Sequence, residues 1–323
     1  MGQAMAKLEF GWRMATFSID GSPGTLLRDQ VAAHLTALKD HVDTVWVQDH
    51  LMPETPWTQP DWDSFEAWST LAHWAGAFPT YRFGNIVLAN SFRNPALLAK
   101  MAATTQVLTG GRLILGLGAG WHENEYRSYG YEYPSPATRI RQLEEAVQVI
   151  RAMWTQTQAT FAGRYYQIEN AYCSPKPDPL PPIMIGASGE QLALRVVAQH
   201  ADWYNAPGAA FDVVAHKLDV LRGHCDAVGR DYDAMVKTGT VSAIAIASSR
   251  AEAQRIVEAS PFYKPGVEGA AVVGEPGDAV EQLKRFADLG ITHLNVRFAD
   301  FPRLDGALRF FEEVVPLLRS AGL

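Results

Sequence analysis

Cysteine is nearly absent from this chain: its 323 residues include only Cys173 and Cys225, too far apart for a metal-ligand or redox spacing. That excludes a disulfide-stapled scaffold and a thiolate metal centre, and it points to a reduced, cytoplasmic protein. Long apolar runs are missing as well. None reaches the length of a membrane span, and residues 1–7 hold no apolar signal core, so no membrane role is expected. Lys and Arg nowhere cluster, and the net charge is −7 with a pI near 5.7. A nucleic-acid or anionic-lipid surface is therefore not expected, and the expected partner is a small molecule. Histidines at metal spacing are lacking: His122-Glu123 has no second histidine one helical turn on, so no metal is expected. There is no repeat, low-complexity tract or flexible linker.

What is present is an ordinary globular composition, 47% hydrophobic and 20% charged, with enough chain for one large core. Apolar runs at 8–18, 44–47, 82–90, 113–117, 183–188, 201–206, 236–247 and 291–298 read as strands. Between them lie helical patterns at 25–40, with Thr25 as cap, at 63–76, and after the strong start Asn94-Pro95. Further helical patterns follow at 138–154, after 189, at 211–228 and at 304–318. Another helix begins at 251–258 and is completed at 278–289 beyond a Pro/Gly-rich insertion. Pro53 to Pro60 reads as a surface loop, and 160–182, rich in Tyr, Gly and Pro, as an excursion. Strand-then-helix units throughout, without a change in composition, predict one domain over residues 1–323. Its fold class is α/β, a single (β/α)8 TIM barrel with insertions; a doubly wound sheet with an appended domain is the alternative.

Chemistry in such a barrel sits at the C-terminal ends of the strands. That rule gathers Asp49 and His50, Asn90, Ala119, Gly120 and Trp121, Ser188 and Gly189, and Asn205 onto one face. His50 at a strand end beside Asp49 suits proton transfer. Gly116, Gly118 and Gly120 strip a strand end of side chains, which lets backbone approach something flat or anionic. Gly186-Ala187-Ser188-Gly189, opening a helix, offers amide N–H groups and a hydroxyl to a phosphate. The glycine spacing is wrong for a dinucleotide fingerprint, so NAD is not expected by that route. An isomerase or aldolase would need a strand-end lysine, and Lys237 falls at the wrong end of its strand.

The runs Val47-Gln-Asp-His-Leu51, Asn90-Ser-Phe-Arg-Asn-Pro-Ala-Leu-Leu-Ala-Lys-Met-Ala-Ala and Gly110-Gly-Arg-Leu-Ile-Leu-Gly-Leu-Gly-Ala-Gly-Trp-His-Glu-Asn-Glu-Tyr are informative together. With Pro182-Ile-Met-Ile-Gly-Ala-Ser-Gly-Glu, they resemble the bacterial luciferase-like superfamily of flavin- and deazaflavin-dependent oxidoreductases. Within it the chain is most similar to the coenzyme F420-dependent oxidoreductases, over nearly its whole length. The resemblance implies an F420-dependent oxidoreductase with FMN as the alternative cofactor. It places Asp49 and His50 beside the ring, Ile86 and Val87 behind it across a cis peptide, Ala119, Gly120 and Trp121 along its edge, and Ser188 and Gly189 on the phosphate. His50 would be the acid or base, with Asp49 orienting it or shaping the ring edge. Relatives that oxidise a sugar phosphate carry Trp four residues after the histidine and Glu directly after the Gly-x-Gly. Here those positions are Glu54 and Trp121, which speaks against that activity. An FMN-dependent monooxygenase and a non-catalytic flavin-binding protein are the competing functions, and a homodimer is left open.

Overall fold

Short runs whose residues are covered on both faces supply the strands, as expected where helices pack outside a parallel sheet. The computed structural model describes residues 7–53, 58–206, 208–263 and 271–323. In chain order the strands are β1 (Glu9–Arg13), β2 (Thr44–Val47), β3 (Arg82–Asn85), β4 (Leu88–Ala89), β5 (Leu113–Gly118), β6 (Ala159–Ala162), β7 (Gln167–Ala171) and β8 (Ile183–Gly186). They continue with β9 (Trp203–Asn205), β10 (Val236–Ile246), β11 (Ala271–Gly274) and β12 (His293–Phe298). The helices are α1 (Gly24–Ala37), α2 (Ala67–Ala77), α3 (Pro95–Leu108), α4 (Glu123–Ser128), α5 (Pro136–Thr155) and α6 (Ala193–His200). After these come α7 (Phe211–Ala227), α8 (Arg250–Glu258), α9 (Pro276–Asp288), α10 (Asp305–Arg309) and α11 (Val315–Ser320).

Pairing runs in parallel from β1 through β2, β3, β5, β8, β9, β10 and β12 and returns to β1, closing a barrel of 8 strands. The expected (β/α)8 architecture is therefore present. Inside the barrel Trp46, Ile86, Ile114, Met184 and Trp203 pack together, apart from the larger core between strands and helices. The excursion at 160–182 contains the antiparallel hairpin β6–β7. Both cysteines are buried and free.

Several expected boundaries move, each for a local reason. The first strand stops at Arg13, and the chain beyond it leaves the barrel, with Phe17 bridging to Ser64. Thr25 does not cap α1; the cap comes from across the chain, where Asp63 Oδ2 accepts from the Gly24 amide. In α2 the start is Ala67 rather than 63, because Glu66 accepts from the Trp68 and Ser69 amides at 2.9 and 2.7 Å. Asn94 caps α3 as expected, accepting from the Ala96 amide at 2.9 Å. The expected single helix split by an insertion is instead two helices, α8 and α9, separated by β11, which pairs with the far end of β10. The closing helix is interrupted by a π turn at Phe310–Val314.

The third strand breaks after Asn85. Ile86–Val87 is a cis peptide, as the resemblance implied, and pairing resumes at β4 against Leu117 and Gly118. Pro53 borders and Glu54 and Trp57 fall within a stretch outside the described residues.

Candidate active site at the barrel mouth

The C-terminal ends of β2, β3, β5, β9 and β10 enclose a cavity of about 320 Å3. Its wall includes Gln48, Asp49 and His50 from the end of β2, Ile86 and Val87 from the break, and Gly120 and Trp121 beyond β5. Arg13, Asn205, Thr240 and Ser242 face them. The volume falls within the usual range for small-molecule and cofactor pockets.

Asp49 is fixed rather than free to orient a neighbour. Its fully covered carboxylate takes a bidentate pair from Arg93, at 2.8 and 3.0 Å, and the Ala89 amide at 2.8 Å. Arg93 also bonds Glu66. The carboxylate that meets His50 is instead Glu125, one of those that follow the glycines at the end of β5. Glu125 Oε2 lies 3.3 Å from His50 Nδ1, while Oε1 accepts from the Leu51 amide and, at 3.3 Å, from Met52. Burial works against this carboxylate's charge, but His50 and the two amides outweigh it and hold the group below its usual value. A buried carboxylate on Nδ1 turns Nε2 of the ring outward as the exchangeable position. Two further rings frame it: Trp121 lies edge-on to His50 at 5.8 Å, and His122 at 6.0 Å. Trp121 is 59% exposed and stands open to solvent at the rim.

The glycines of β5, and Gly120 beyond it, make room for the protein's own chain. A Cβ on Gly116 would lie 1.8 Å from the Asn85 carbonyl oxygen, and one on Gly118 would lie 2.7 Å from Val87 Cγ2. Gly120, at φ +76°, sits against the Tyr126 hydroxyl, where a Cβ would come within 1.7 Å. Their shared purpose is to seat the Ile86–Val87 segment and Tyr126 tightly. Of the three, Gly120 also lines the cavity.

Of the remaining expected positions, Asn90 is buried and donates to the Tyr166 hydroxyl at 3.1 Å, and Ala119 packs against the core; neither lines the cavity. Ser188 and Gly189 are exposed and also lie outside its lining. They do not open a helix directly, since α6 starts at Ala193 after a turn. Lys237 is buried at the N-terminal end of β10 and donates to the Tyr232 carbonyl at 3.1 Å, away from the mouth.

A profile of the luciferase-like monooxygenase family matches residues 14–266. The chain belongs to that family. A relative within reach is the F420-dependent glucose-6-phosphate dehydrogenase of Amycolatopsis mediterranei (strain U-32). It is 27% identical over 328 residues, which is 91% of this chain and 96% of the relative. The FMNH(2)-dependent dimethylsulfone monooxygenase of Pseudomonas fluorescens (strain Pf0-1) is 31% identical over 196 residues, 61% of this chain and 51% of its own. Among solved structures, an F420-dependent secondary alcohol dehydrogenase in complex with an F420-acetone adduct superposes with a TM-score of 0.77. Identity there is 20%, over 97% of this chain and 99% of the other, so the likeness is one of fold. Within the luciferase-like family match, the profile ends before β12, the strand that closes the barrel.

Proposed function

We propose that this protein is an oxidoreductase that holds the deazaflavin F420, or FMN as second choice, across the barrel mouth. There the cofactor exchanges a hydride with a small organic substrate. The observation that carries this reading is the mouth cavity that His50, met at Nδ1 by Glu125, lines together with Val87 and Trp121. The residues suit a flavin-like ring: Gln48 Oε1 is buried at that cavity without a hydrogen-bond partner among the described residues, and a ring edge carrying N–H groups offers the donor it lacks. Val87, seated on Gly118 and Gly186, forms an apolar surface behind the ring. The ring carries the electrons when bound; the protein positions it and manages protons.

His50 is the acid or base, giving or taking a proton through Nε2 as an alcohol and a carbonyl interconvert. Asp49, neutralised by Arg93, shapes the ring edge. Ser188 and Gly189, exposed next to the β8 strand end, are the positions for the phosphate-bearing tail outside the cavity. Relatives named for glucose 6-phosphate support F420 as the cofactor. The sugar phosphate itself is not carried over, because Trp121 supplies no carboxylate after Gly120. The monooxygenase reading with FMN is favoured by the family description and by the dimethylsulfone relative.

Purification from a host that makes F420, followed by absorption and mass of the retained chromophore, separates these readings. Retained F420, and tighter binding of F420 than FMN to the stripped protein, is the expected result. Tight FMN binding with substrate-dependent oxygen uptake would transfer the assignment to a monooxygenase. Binding of neither would remove both.

A further inference from the structure

Beside His50 stands a second imidazole that the reaction described so far does not use. His122 Nδ1 lies 3.7 Å from Glu125 Oε2, the same oxygen that faces His50 Nδ1 at 3.3 Å. That Nδ1 atom is buried and has no hydrogen-bond partner among the described residues, whereas the His122 side chain as a whole is 13% exposed. Its exposure therefore falls on the other side of the ring. Glu125 Oε1 is already taken by the Leu51 and Met52 amides, so Oε2 is the oxygen left to serve both rings. The sequence places His122 at the residue preceding α4 and Glu125 in its first turn, an i, i+3 pair on one face.

We propose that His122 is the second proton carrier of this site, passing protons between His50 and solvent through the Glu125 carboxylate. The inference rests on the oxidoreductase reading above and deepens it. When Nε2 of His50 takes a proton from a substrate hydroxyl, Nδ1 gives up its own proton to Glu125 Oε2. Glu125 hands a proton to His122 Nδ1, and His122 Nε2 releases one to water. Each group ends with as many protons as it began with, and one proton has crossed from pocket to solvent. In the opposite direction the same chain recharges His50 when a carbonyl is reduced. His50 is the catalytic residue; Glu125 and His122 act through it. Among the described residues, the other charged or titratable groups facing the pair are Asp49, paired with Arg93, Tyr126 and, across the cavity, Arg13.

The test uses the full chain without cofactor, so its outcome does not depend on which cofactor binds. Imidazole nitrogen NMR is followed between about pH 5 and 9 in the wild type and in His122→Asn and Glu125→Gln. In the wild type the His50 curve is expected to show a second step from the imidazole that shares Glu125. His122→Asn should collapse the His50 curve to one step, and Glu125→Gln should lower its midpoint. His122→Asn touches no hydrogen-bonded atom at Nδ1, so it decides the matter even if Glu125→Gln fails to fold. A His50 curve unchanged by His122→Asn would overturn the proposal. So would one equivalent of zinc on the purified wild type that Glu125→Gln loses, since the three donor atoms would then be a metal site. A failure of the oxidoreductase reading shows up differently, as no cofactor binding with the coupled titration intact.

Discussion

At the scale of single residues, the site is a set of buried charges that are each answered. Asp49 is the clearest: its side chain is 0% exposed, and Arg93, itself only 11% exposed, supplies two of its three hydrogen bonds. Removing one member of a buried pair leaves the other charged and unsolvated, which costs about 3–5 kcal/mol. Arg93→Met is therefore expected to lower unfolding free energy by about that amount, as read from urea denaturation. A change below about 1 kcal/mol would mean that the Ala89 amide and solvent suffice to hold Asp49. Asp49 and His50 were legible in the sequence because they end an apolar strand. Arg93 and the pairing of Glu125 with His50 were not, because each partner reaches the mouth from a different turn of the chain, 44 and 75 residues on.

At the scale of elements, the break in the third strand organises the mouth. β3 and β4 both pair with β5, and the two residues between them project Val87 against Gly118 and Gly186. Glycine in β5 is obligatory for that fit. Gly116→Ala would put a methyl group 1.8 Å from a backbone oxygen, which cannot swing aside as a side-chain tip can. Overpacking of this kind costs about 1–3 kcal/mol, and backbone resistance puts this case at the upper end. Thermal or urea unfolding of the variant checks it; full stability would show that the two strands slide apart freely. The glycine pattern itself was visible in the sequence, but its reason was not. Glycine marks close approach without saying to what, and only the paired strands show that the partner is the chain itself.

At the scale of the whole barrel, the end opposite the site carries a polar ring that ties β1, β2, β3 and β12 together. Trp46 Nε1 donates to His293 Nε2 at 3.2 Å, so the His293 proton sits on Nδ1, which faces Glu9 Oε2 at 3.6 Å. Arg82 bridges Glu9, at 3.3 Å, and Asp43. His293 first, then Arg82, hold the Glu9 carboxyl at about 2 against the opposing effect of burial. A carboxyl depressed on folding adds stability above its unfolded value of 4.5, and that contribution is lost as pH falls through about 2. Glu9 is half exposed, so solvent screening makes the effect small. Glu9→Gln is expected to narrow the stability gap between neutral and acidic solution, measured by urea unfolding from about pH 7 down to about pH 3. Parallel loss in wild type and variant would leave Glu9 outside acid stability.

The sequence alone determined the fold class. Apolar runs alternating with amphipathic ones permit few architectures besides a barrel, and strand ends then mark the face where His50, Asp49 and Trp121 meet. It determined local signals too, such as the Asn94-Pro95 helix start, because a cap and its helix are neighbours in the chain. Tertiary structure alone decided who partners whom. Glu125 rather than Asp49 holds His50, Asp63 rather than Thr25 caps α1, and β11 parts what read as one helix. The physical reason is the same in each case: a hydrogen bond or a strand pairing is satisfied by whatever group the folded chain brings within about 3 Å, and sequence separation does not limit that choice.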